Sequence, residues 1–163
     1  MKKSPFDTAL QFINEIGIET EFRKLNENEC FLPGLLIEGG KIIIDAGKLQ
    51  YQGDILHEAA HIAVVPDAER KLLYSYSIAE RNDAPAEEMM AIAWSYAACI
   101  HLNIDPAFVF HPHGYKEGAQ AIIENFRQGH YIGVPVLQWL GMTSTSAPGN
   151  QPVYPAMIKW LRD

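Results

Sequence analysis

The run His57-Glu58-Ala59-Ala60-His61 places two imidazoles and a carboxylate within little more than one helical turn. At 3.6 residues per turn, positions i and i+4 lie about 40° apart on one helix face, so both imidazoles can meet a single ion. The glutamate lies about 100° round from the first histidine, beside the ion but not on it. This is the HExxH pattern of a zinc-binding helix that carries its own general base. The chemistry it serves is hydrolysis, of a peptide amide above all. Zinc lowers the pKa of its bound water towards ~7 and polarises the carbonyl, while Glu58 takes the water's proton and later delivers it to the leaving amine.

Six histidines in 163 residues make a chance match a roughly one-in-fifty event, so the flanking residues decide. Gly53-Asp54 offers a start, with Asp54 as the expected N-cap. Ile55, Leu56, Ala59, Ala60, Ile62 and Ala63 cover more than one face, as in a buried helix. Val65-Pro66 ends the run, because the residue before proline resists the α region.

Catalytic zinc takes three protein ligands and leaves one position open. The best third donor is the acidic pair that opens the next helical run, Pro85 to Ile100. Glu88 shares its face with Ala91, Ile92 and Ser95, small enough on average for close approach to Ala59 and Ala60. Glu87 shares its face with the bulkier Met90 and Trp94. Glu88 is the expected ligand and Glu87 the runner-up.

An HExxH helix followed by a glutamate on a second helix resembles the gluzincin arrangement of metallopeptidases. The small intracellular ImmA/IrrE-like branch is the most similar, since its later helix reads roughly E-x-x-A-x-x-aromatic. Here that phrase is Glu88-Met89-Met90-Ala91-Ile92-Ala93-Trp94, beginning 27 positions after His61. The similarity spans roughly residues 35 to 100. It implies a minimal zincin-like fold, with His57, His61 and Glu88 as zinc ligands and Glu58 as catalytic base. The chain lacks the helix-turn-helix segment of that branch, and from residue 101 onward the similarity ends.

A donor for the oxyanion is expected from a second element. His111-Pro112-His113-Gly114-Tyr115 supplies the candidates His113 and Tyr115, with His130-Tyr131 behind them. His101 falls near a helix C-terminus, where it complements the helix dipole.

A net charge of −7 argues against nucleic acid as a partner, since phosphate-binding domains display a basic surface. The expected partner is a protein or peptide substrate. No stretch approaches a membrane span, and Lys2-Lys3-Ser4-Pro5 does not open an export signal, so a cytoplasmic location is expected. Two cysteines, Cys30 and Cys99, are too few for a disulfide framework. The same ligands in a non-catalytic zinc-binding adaptor or regulator would leave Glu58 without a task. A zinc hydrolase of non-peptide amides is a further reading.

The expected fold is α+β: one mostly helical domain over residues 1–163, with a small antiparallel sheet packed on the HExxH helix. Ser4-Pro5 starts a first helix to about Ile16, and Ile18 to Lys24 alternates as a strand. Leu35 to Ile44 reads as a hairpin turning on Gly39-Gly40. Further expectations are a short helix at 69–76, a loop at 103–117, helices at 118–128 and 134–141, an exposed loop at 143–152 and a helical turn at 155–161. Trp139, Tyr154 and Trp160 are expected in the core.

Overall fold

The computed structural model describes residues 1–115 and 118–163. Helix α1 (Pro5–Glu15) begins where Ser4 caps it, the Ser4 hydroxyl accepting from the Asp7 N–H at 3.1 Å. Strands β1 (Thr20–Phe22), β2 (Leu35–Glu38) and β3 (Lys41–Ile44) form one sheet in the order β1-β3-β2. The β2–β3 hairpin turns on Gly39 and Gly40, whose φ values of +60° and +76° suit the mirror-image turns that match strand twist. β1 runs parallel to β3, so the sheet is mixed and not purely antiparallel as expected. Two ion pairs, Lys41–Glu21 and Arg23–Glu38, tie β1 and the residue that follows it to the hairpin. Ile42, Ile43 and Ile44 of the central strand are fully buried.

The HExxH residues lie in helix α2 (Asp54–Ala63), nine of whose ten residues are buried, and His57 alone is partly exposed. Gly53, not Asp54, occupies the N-cap. The Asp54 carboxylate is turned instead to His111, a partner 57 residues away. Helix α4 (Ala84–Leu102) makes the most extensive packing contact with α2 of any two described elements. Ala59, Ala60 and Ala91 are all fully buried. α4 is apolar nearly all round, which the fold satisfies by burying it in the centre.

Between these helices, the expected helix at 69–76 is replaced by a single turn, α3 (Asp67–Arg70), and a 3-10 turn over Ser75–Glu80. The change positions Ser75, whose hydroxyl accepts from the Ile37 N–H at 2.7 Å on the outer edge of β2. Of the expected loop at 103–117, residues 106–108 form a 3-10 turn and Pro112–Tyr115 a helical turn, α5, while 116 and 117 lie outside the described residues. Helices α6 (Gly118–Arg127) and α7 (Val134–Trp139) follow.

The end of the chain departs most from expectation. Residues 155–161 form no helix. They lie across the molecule, the Ile158 N–H donating to the Met142 carbonyl and the Trp160 carbonyl accepting from the Trp94 indole. The 143–152 stretch is not wholly exposed either: Thr143 and Ser144 are buried, and Thr143 pairs with Met157. Trp160 packs edge-on to Phe12 and Trp94, and Tyr154 is buried, but Trp139 is 82% exposed and so is no part of the core. His101 packs against the Phe12 and Trp160 rings at the end of α4. Among the described residues no helix is long and apolar enough to cross a membrane.

Candidate metal centre

His57 and His61 sit one turn apart on α2, and their Nε2 atoms are 3.0 Å from each other. Glu88, in the first turns of α4, brings Oε2 to 3.2 Å from His61 Nε2 and Oε1 to 3.9 Å from His57 Nε2. Ligands held ~2.1 Å from one zinc at tetrahedral angles lie about 3.4 Å apart. The three separations bracket that value, so His57, His61 and Glu88 lie close enough together to bind one metal ion. They are the one such group of three among the described residues.

Burial sets the protonation of these candidate ligands. It pushes His57 down to about 3 and His61 to about 4, with the neighbouring His61 and His111 adding to the shift at His57. Both imidazoles are therefore neutral at physiological pH and present lone pairs without a competing proton. Glu88 is half-exposed, and its pKa is raised by partial burial. The adjacent Glu87 is excluded by geometry. It points about 100° away round α4 and is clamped by Arg81 through two hydrogen bonds, of 2.7 and 2.9 Å. Arg81 also reaches Glu69 at 2.8 Å. The runner-up ligand is a structural ion-pair partner.

Glu58 is buried beside the ligands, 3% exposed, and its Oε2 has no hydrogen-bond partner among the described residues. An unpaired buried carboxylate oxygen is costly. Desolvation, with the nearby Asp54 and Glu88 charges, raises its pKa to about 8. Without an ion the group is therefore largely protonated at neutral pH; a cation beside it would lower the pKa and free the orphaned oxygen to take a proton, as a general base must.

The centre lies in a cleft of about 700 Å³. Its lining combines the polar His57, His61, Glu58 and Glu88 with the apolar Leu32, Pro33, Ile78 and Ala84. Phe31, 70% exposed, stands at its edge. Both residues expected as oxyanion donors line the cleft. Tyr115 is tied down: its hydroxyl is 2.9 Å from His57 Nδ1. Burial, with the carboxylates of Glu88, Asp54 and Glu58, raises its pKa, so it stays a neutral phenol. His113 stacks on Tyr51, with ring centroids 4.8 Å apart. Tyr131 and His130 belong elsewhere: Tyr131 packs on Phe126 and Tyr154, and His130 is exposed.

Two groups escaped the sequence reading. Asp54 bonds His111 at 2.6 Å, and Tyr51 underlies both His111 and His113. No local signal marks Asp54 for this role, since an acidic residue at a helix start is ordinary dipole complementation. Comparison of the chain with protein-family models, with curated proteins and with solved structures returned no match.

Proposed function

We propose that this protein is a zinc-dependent hydrolase that cleaves a peptide amide in a protein or peptide. One observation carries the reading: three metal-ligand atoms converge in a cleft where a fourth residue, Glu58, keeps a buried carboxylate oxygen without a partner. A structural zinc site is usually closed by four protein ligands and has no use for such a residue. Two histidines and a carboxylate that leave one position open fit the catalytic pattern.

An ion held by His57, His61 and Glu88 supplies a Lewis acid that polarises the scissile carbonyl and favours ionisation of water. The chain's own groups do the rest. Glu58 accepts a proton from the water whose oxygen bonds to the carbonyl carbon, and returns it to the amine nitrogen as the C–N bond breaks. His113, which lines the cleft, is the candidate donor to the negative charge that develops on the carbonyl oxygen, the Tyr115 hydroxyl being engaged with His57. The apolar lining residues Leu32, Pro33, Ile78 and Ala84 offer a substrate side chain a surface to pack on.

The test begins with elemental analysis of protein purified without a metal-affinity tag. Wild type and Glu87→Ala are expected to hold about one zinc per chain, and His61→Ala and Glu88→Ala to lose it. A peptide library digested by zinc-loaded wild type and read by mass spectrometry then finds cut sites. Glu58→Gln is expected to keep the metal and lose at least ~10²-fold in turnover. Full turnover by Glu58→Gln sinks the mechanism. One zinc per chain with no cleavage of any peptide or protein substrate replaces it with a non-catalytic zinc-binding role.

A further inference from the structure

The segment from Asp105 to Tyr115 is fastened to the start of α2 at successive points, and the last of them touches a candidate metal ligand. At Gly53 the two backbones meet so closely that a Cβ there would lie 1.6 Å from the Phe108 carbonyl oxygen. One residue on, Asp54 Oδ1 is 2.6 Å from His111 Nε2. The Gly114 N–H donates to the other nitrogen of the same ring, His111 Nδ1, at 3.1 Å. That donor assigns the proton of His111 to Nε2, which therefore donates to Asp54. Both faces of this arrangement are tight: a Cβ on Gly114 would sit 3.1 Å from the His111 ring, whose own face rests on Tyr51. Gly114 is followed directly by Tyr115, whose hydroxyl is 2.9 Å from His57 Nδ1.

The chain of contacts has a direction. His57 Nε2 faces His61 Nε2 and Glu88; were it to give its lone pair to an ion there, the proton of His57 would belong on Nδ1, where Tyr115 is placed to accept it. A ligand histidine whose second nitrogen is held in this way is locked in tautomer and ring orientation. We propose that Asp54 and His111 are positioning residues: they clamp the Gly114-Tyr115 turn onto α2, so that Tyr115 holds His57 in its metal-binding tautomer. Tyr115 then has its main role behind the ligand and not in front of the substrate. The hydrogen-bond chain Asp54–His111–Gly114–Tyr115–His57 sets metal affinity together with the three ligands.

This inference rests on the metal centre of the proposed function, and its test needs no substrate. Zinc affinity is measured by competition with a chromophoric chelator for wild type, Tyr115→Phe, Asp54→Ala and Asp54→Asn. Thermal unfolding of each metal-free protein and the visible spectrum of each cobalt-substituted protein are recorded alongside. Tyr115→Phe and Asp54→Ala are expected to weaken zinc binding by about 10–100-fold, with the cobalt spectrum still that of the two-nitrogen, one-carboxylate set. Asp54→Asn, whose amide oxygen still accepts from His111, is expected to restore affinity to within about threefold of wild type. Tyr115→Phe should lower the midpoint of metal-free unfolding by no more than a few degrees, the cost of one hydrogen bond, so that the fall in zinc affinity reports positioning and not a loss of fold. Zinc affinity of Tyr115→Phe equal to that of wild type overturns the clamp, as does an Asp54→Asn protein as weak as Asp54→Ala. A wild-type chain that takes up no zinc overturns the metal reading itself, and the clamp with it.

Discussion

The two ends of α2 are held by different chemistry. At the C-terminal end the free carbonyls are met by long cationic side chains and a backbone amide. Arg70 donates to the Ile62 and Val65 carbonyls at 3.2 Å each, the Arg162 N–H to Ala63 at 2.9 Å, and the Arg162 guanidinium to Val64 at 3.2 Å. This satisfies groups every helix leaves open and places positive charge at the negative end of the dipole. At the N-terminal end the fastening is a backbone contact with no room for a side chain at Gly53, followed by the Asp54–His111 hydrogen bond. The first arrangement is generic and tolerant of change. The second is specific in shape and passes through Tyr115 to His57. The helix is thus anchored at one end through its free carbonyls and at the other through contacts that lead to His57.

Substitutions can break that contrast, and the largest effect belongs to the tight end. Gly53→Val should cost on the order of 5 kcal/mol, because the new side chain must displace the Phe108 backbone. For a chain of this size that lowers the midpoint of thermal unfolding by roughly 10–20 °C. A loss below ~1 kcal/mol would mean that the segment from 105 to 115 slides freely along α2.

The middle of the helix, where neither end helps, gives the next largest effect. Glu58 has a folded-state pKa of about 8 against 4.5 for the free group. The folded metal-free protein therefore binds a proton that the unfolded chain has released. Stability from this group is full below pH 4.5 and is lost as pH rises through 8. Glu58→Gln, which keeps the neutral shape at every pH, should unfold like wild type near pH 4.5. It should be more stable by roughly 4–5 kcal/mol at pH 9. Parallel unfolding curves at both pH values would show instead that Glu58 is solvated in the folded state.

The generic end should respond least. Arg162→Ala removes one guanidinium bond to the Val64 carbonyl but keeps the backbone N–H to Ala63, so a loss of ~1 kcal/mol is expected. Zinc affinity should stay unchanged. A tenfold drop in affinity from Arg162→Ala would erase the distinction between the two ends.

What could be read in the sequence depended on how local the cause was. Helices α1, α2, α4 and α6 follow from periodicity, caps and breakers within each segment, and the hairpin from Gly39-Gly40. The preference for Glu88 over Glu87 came from which neighbours share a helix face, and the structure brings Glu88 to the two histidines while Arg81 takes Glu87. Long-range partners were not legible. The parallel pairing of β1 with β3, the Asp54–His111 bond and the course of residues 155–161 depend on contacts between segments far apart in the chain. The apolar spacing after Pro155 resembles a helical turn, yet those residues spend their backbone groups on Met142, Trp94 and α2. Trp139 misled for a different reason: its six-residue helix buries Val134 and Leu137 and leaves the indole facing water.

The contact between Arg162 and α2 also bears on the order of events during synthesis. The carbonyls of Ala63 and Val64 wait for a partner made 98 or more residues later. At translation speeds of about 5–20 residues per second, that is a lag of roughly 5–20 s. During that interval the nascent chain already carries His57 and His61, on a helix whose C-terminal carbonyls only Arg70 can meet. Ribosome-stalled chains of increasing length should therefore gain protease resistance around α2 in two steps, the first once α4 has emerged and the second only once residue 162 is free.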